Sequence, residues 1–246
     1  MDLRTVSSSD DAAPGERPWG PRTVGIGIVA FVGVFVASPF LLSGIAVASG
    51  ATDRADLSPA ALLTATLVLQ LGTLGIAYYF GPFQHDVSWA ALGFRQLSRG
   101  RLAAWAAAAL FGSILAGLVS VVVTEAVAPS LARPNLAVDL GLGSDASVAA
   151  LLYAWITIAL VVPLAEETFH RGFIFAGLAA RWGVWPAILA SAAVFSVAHL
   201  TPWLILPAFA SGIIFAWVYW RSGSIWPIIT AHLAQNSLAL AGAVLT

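Results

Sequence analysis

Seven apolar runs of about twenty residues divide the chain, at roughly 24–48, 59–80, 102–127, 147–165, 184–200, 203–220 and 225–245. At about 1.5 Å per residue, such a run is long enough to cross about 30 Å of hydrocarbon. Lipid offers no hydrogen bonds, so a spanning backbone must satisfy its own N–H and C=O groups. These runs also exceed the roughly 9–11 alternating residues of a barrel strand, which leaves helices. The pattern predicts an all-α fold, a polytopic transmembrane helical bundle of about seven spans, with an eighth if 167–180 forms a short segment of its own.

Local punctuation agrees with this division. Ser58-Pro59 reads as an N-cap with proline at the first helical position. Gly81-Pro82 ends the second run, and Pro129 with Pro134 breaks the chain after the third. Pro39, inside the first run, is expected only to kink it. The stretch 86–101 joins Trp89, Leu92 and Phe94 to three arginines and is expected along a membrane interface. Residues 1–22 mix acids, Ser, Pro and Gly, unlike the basic start of a signal peptide, and the run that follows is too long for a cleaved leader. They predict a disordered cytoplasmic tail ahead of one transmembrane domain, 23–246.

Composition sharpens the class. Of the 246 residues 59% are hydrophobic and 9% charged, against roughly 25% charged in an ordinary soluble domain. The net charge of -1, with no basic tract, gives no reason to expect a nucleic-acid partner. The absence of cysteine excludes disulfides and thiolate metal sites. All eleven basic residues are arginine, and alternate connecting segments carry nine against two. By the positive-inside rule a seven-span chain then has its N-terminus in the cytoplasm. The Ala-rich, all-Arg composition points to a bacterial cytoplasmic membrane. The aromatic residues Trp182, Trp185, Trp203, Trp220 and Trp226 flank predicted turns as an interfacial belt, and Gly172, Gly177, Ala180, Ala190 and Gly212 are expected to permit close helix packing.

Within or beside the apolar runs the charged residues are Glu125, Glu166, Glu167 and Arg171. Glu125 lies near a helix end and can reach headgroups. A carboxylate at mid-span costs about 2.5–3.5 kcal/mol on insertion scales, so the adjacent pair in LAEETFHRG needs partners or a task. Glu167 and Arg171 are four apart with the acid first, the favourable order for an ion pair along one helix face. Glu166 is rotated by about 100° from Glu167, which leaves it without that partner and makes it the candidate general base. His170 lies one turn from Glu166 and is its competing partner.

Two further polar sites interrupt apolar segments. In FSVAH, Phe195 lies one turn from His199; in HLAQN, His232 and Asn236 are four apart and share a face. If 147–181 and 184–200 form a helical hairpin turning at Arg181-Trp182-Gly183-Val184, the midpoint between 166 and 199 falls inside the turn, which sets Glu166 and His199 at one depth. His232 fits this scheme less well. Counted from a turn at Gly223-Ser224 it lies roughly 12 Å into its helix, against roughly 24 Å for His199 above its own turn. His85, in GPFQHDV, reads as a solvated loop residue.

EETFHR, FSVAH and HLAQN together resemble the EExxxR, FxxxH and HxxxN signatures of the CPBP family: CAAX-type prenyl-protein endopeptidases, bacteriocin-processing proteases and abortive-infection-like proteins. The resemblance covers about 147–240, with a faint echo in WAALGFR upstream. It implies an intramembrane endopeptidase acting on membrane-associated peptides or proteins, in which Glu166 and His199 bind and activate water, His232 and Asn236 donate to the oxyanion, and Glu167 and Arg171 support them. The family is commonly called metalloprotease, and Glu166, His199 and His232 are the zinc ligands it would imply; a metal-free, glutamate-based mechanism is equally consistent. His170 departs from the aromatic residue that often precedes the arginine. Ten residues follow Asn236, which argues against the extra C-terminal span of some eukaryotic relatives and against prenyl specificity. The competing class is a catalytically silent membrane scaffold or a proton-coupled carrier whose Glu-His cluster relays protons.

Overall fold

The computed structural model describes residues 18–50, 57–133, 142 and 146–245. They form seven principal helices: α1 Pro21–Ser49, α2 Pro59–Phe83, α3 Arg99–Val127, α4 Val148–Trp182, α5 Val184–Val197, α6 Pro202–Ser222 and α7 Trp226–Leu245. A 3-10 turn, Trp89–Leu92, lies between α2 and α3. The all-α expectation holds. The span count is less uniform than the hydropathy suggests: α1, α2, α3, α4 and α6 are long and apolar enough to cross a membrane. Helix α5 has 14 residues, about 21 Å at the helical rise, and falls short of a full crossing on its own.

Sequence signals set several ends. The Ser58 hydroxyl accepts from the Ala61 N–H, with Pro59 at the first helical position. Gly183, at φ 80°, divides α4 from α5, at the turn expected for the hairpin. Residues 167–180 continue α4 rather than standing as a separate segment. Of residues 1–22, those from 1 to 17 lie outside the described residues, whereas Trp19 is buried and donates its indole N–H to the Phe173 carbonyl at 3.0 Å.

The core sits around the second half of α4. Every residue from Thr168 to Phe175 is buried, and Phe169, Phe173, Phe175, Ile188 and Phe215 pack into one apolar cluster. Helix α3 packs on α6 and α7, α5 on α4 and α6, and α1 on α2. Three of the small residues do allow close approach: a Cβ on Gly177 would meet the Trp19 ring at 2.5 Å, one on Gly212 would meet Ala192 at 2.9 Å, and one on Gly172 would lie 2.7 Å from the Leu92 carbonyl oxygen. Ala180 is exposed and closes no interface.

The contact at Gly172 resolves the mismatch in depth. The α6–α7 turn is drawn inward, because Ile225 N–H donates to Gly93 O at 2.8 Å and the Ser224 hydroxyl donates to Arg95 O at 2.6 Å. A Cβ on Gly172 would lie 3.5 Å from Ile225 Cδ1, so the turn stands level with a residue about 15 Å above the end of α4. Adding the seven residues from Ile225 to His232, about 10 Å of helix, brings His232 to roughly the height of Glu166 and His199. Leu92, in the stretch expected at the interface, is fully buried as part of this wedge. Trp203, expected in the aromatic belt, is also buried, beneath the Arg133 guanidinium at 5.2 Å, and Glu125 pairs with Arg133.

Candidate active site

Helix α4 is wound wide in two places, with π-type turns over Trp155–Val161 and Thr168–Phe175. Such turns shift the backbone ladder and are frequent at functional sites. In the first, the Val162 N–H bonds to Thr157 O, five residues back. By that register Ile158 O should receive residue 163, but Pro163 has no N–H to give. Asn236 fills the gap, donating from Nδ2 to Ile158 O at 2.9 Å. One amide hydrogen is thereby committed to the backbone, and the second remains for another acceptor.

The second wide turn carries the charged cluster. Arg171 Nη1 lies 3.0 Å from Glu167 Oε1 and 2.9 Å from Oε2, as the i, i+4 spacing predicted. Arg171 also donates to Gly212 O at 3.2 Å and stacks over the Phe195 ring at 4.4 Å. Both charges are fully buried, and removing either partner from such a pair typically costs about 3–5 kcal/mol. Glu167 has a second task, since His232 Nδ1–H donates to its Oε1 at 2.8 Å. That bond fixes the imidazole and leaves Nε2 facing the site.

Glu166 stands apart from the arginine, as expected. Its Oε2 lies 4.0 Å from His232 Nε2, while Oε1 accepts from Gln70 Nε2 at 3.3 Å. His170 does not pair with the Glu166 carboxylate; its Nδ1–H donates to the Glu166 backbone carbonyl at 2.8 Å. His199 is held in the same way by Phe195 O at 2.9 Å, so its Nε2 is the free atom. Leu200, at φ 54°, follows His199 and turns the chain toward α6.

Two cavities meet at Phe195 and His199. The smaller, about 60 Å³, is lined by Gln70, Glu166, His170, Phe195 and His199, among others. The larger, about 460 Å³, is lined by Phe195, His199, Phe215, His232 and Asn236 and runs past Leu204 and Pro207. Glu166, His199, His232 and Asn236 therefore gather around one junction, from α4, the α5–α6 connection and α7. Among the described residues, no three His, Asp or Glu side chains form a group able to hold a metal ion.

Two contributors escaped the sequence reading. Gln70 is a lone amide in the second apolar run, and a polar side chain at mid-span was the available signal. The Gly212 carbonyl, which holds Arg171, gave none, because its role depends on how closely α6 approaches α4.

Comparison with known proteins bears on this segment. Residues 148–238 match the model of the family described as type II CAAX prenyl endopeptidase, Rce1-like. Over those residues the chain is similar to that family. It is similar to a Bacillus subtilis protein named "Putative membrane peptidase YdiL", 33% identical over 82 residues, which are 33% of this chain and 34% of that protein. The chain thus spans about a third of the length of the curated relative it matches. No solved structure matches it. The matched segment coincides with the region that holds all three motifs, and Glu166, His199, His232 and Asn236 all lie within it.

Proposed function

We propose that the protein is an intramembrane endopeptidase of the CPBP type, hydrolysing a peptide bond of a membrane-associated peptide or protein. The observation that carries this reading is the position of Glu166, 4.0 Å from His232 and sharing a water-sized cavity with His199, next to a cavity large enough for a peptide segment. Water in the small cavity gives one hydrogen to Glu166 and directs the other to His199 Nε2, which is free because Nδ1–H is committed to Phe195 O. Glu166 takes the proton as the water oxygen attacks the scissile carbonyl. The tetrahedral oxyanion then receives the uncommitted Asn236 N–H, while His232, its Nδ1–H committed to Glu167, stands beside the site with Nε2 turned to Glu166. Glu166 finally passes its proton to the leaving amine. Each oxyanion donor of this kind is worth about 2.7–4 kcal/mol of barrier.

The apolar lining of the larger cavity and its position within the bundle support a substrate that reaches the site from the lipid. The nine-to-two arginine bias supports seven crossings with α5 completing its passage through the connection to α6, and a cytoplasmic N-terminus. A scaffold or proton carrier would need no amide held with one hydrogen free.

The test is cleavage of a peptide library by the purified protein in detergent. Wild type is expected to cleave, and Glu166→Ala and His199→Ala to lose at least about 10²-fold in kcat, in line with general acid–base contributions. Unchanged cleavage by either variant would overturn the assignment, and proton flux into liposomes abolished by both would favour the carrier.

A further inference from the structure

Gln70 lies on α2, outside the matched segment, and contributes the one side-chain hydrogen bond that the Glu166 carboxylate receives among the described residues. The amide is buried, at 7% exposure. Its Nε2 reaches Glu166 Oε1, while its own Oε1 is buried with no partner among the described residues. Gln70 lines the small cavity opposite His199 and His170. An amide this deep in an apolar run costs free energy unless it is used, and its N–H end is used on the Glu166 carboxylate.

We infer that Gln70 is a positioning residue for the proposed hydrolysis: its N–H pins one oxygen of the Glu166 carboxylate that activates the water. Pinning Oε1 leaves Oε2, the oxygen turned toward His232, free to take and release the proton. This action does not touch the peptide, so Gln70 governs the chemical step and leaves substrate binding alone. The bond to a charged acceptor also gives it leverage, since such bonds are worth roughly twice a neutral one.

The inference rests on the proposed peptidase reading, and kinetics separate the two. Gln70→Leu keeps the size and removes both polar ends; Gln70→Glu keeps the shape and acceptors but sets a carboxyl against Glu166. Both variants are expected to lower kcat by about 10- to 100-fold, the range for a hydrogen bond to a charged group, while KM changes less than about threefold. Their thermal stability in detergent should stay within a few degrees of wild type, because a leucine at this buried site suits its apolar neighbours. A Gln70→Leu enzyme with wild-type kcat, or one whose loss lies in KM, would overturn the inference while leaving the peptidase reading intact. Absence of cleavage by wild type would instead remove the reading beneath it. If Gln70→Leu fails to fold, Gln70→Glu carries the same kinetic comparison.

Discussion

At the scale of single residues, the site is governed by how each side chain is already committed. Asn236 illustrates this best. A wide turn and a proline together deprive Ile158 O of a backbone donor, and Asn236 supplies it, so the same bond that repairs α4 also aims the remaining amide hydrogen into the cavity. Asn236→Ala should therefore show two separable losses. Turnover should fall by about 10²–10³ for the missing oxyanion donor, and stability should fall by about 1–3 kcal/mol for the carbonyl left buried and unpaired. Steady-state kinetics read the first and thermal unfolding in detergent the second. His232 follows the same logic, with Nδ1 spent on Glu167 and Nε2 turned to Glu166. The adjacent glutamates thus divide their labour: Glu167 is fully buried and holds Arg171 and His232, while Glu166 faces the cavity.

At the scale of elements, the register of α7 against α4 decides whether the site exists. That register is set where the start of α7 meets the interior of α4, at Gly172, which lets the Leu92 carbonyl and Ile225 approach. Gly172→Ala places a Cβ 2.7 Å from a backbone oxygen that cannot swing aside. Overpacking of this kind costs about 1–3 kcal/mol. The thermal midpoint of Gly172→Ala should drop by several degrees, and its kcat should fall as His232 shifts relative to Glu166. Gly75→Ala is the control, since nothing lies within 4 Å of its added Cβ, and its midpoint should hold or rise slightly.

At the scale of the whole molecule, the helical connections sort into two ends. The α4–α5 turn at Gly183 and the α6–α7 turn at Gly223 share one end, with the 88–95 segment beside them, and the connection at Thr201 lies at the other. The protein contains no cysteine, so single cysteines report cleanly on each position. In sealed vesicles, a membrane-impermeant thiol reagent should label Gly183→Cys and Gly223→Cys from one side and Thr201→Cys from the other. Labelling of all three from the same side would contradict the bundle topology. In the proposed orientation, the Gly183 and Gly223 end is the cytoplasmic one.

Much was legible before any coordinates. Apolar run length determined an all-helical membrane bundle, because lipid forbids the alternatives. Helical spacing determined the Glu167–Arg171 pair, and symmetry about Gly183 placed Glu166 level with His199. Tertiary structure alone decided the rest. The depth of His232 depended on how far the α6–α7 turn is pulled inward, a distance fixed by contacts between segments more than a hundred residues apart. The parts played by Gln70 and the Gly212 carbonyl arose in the same way, from helices that meet only after folding. Hydropathy and periodicity describe each helix against its own axis; they carry no information on which atoms of another helix will stand opposite, and that is what builds the pocket.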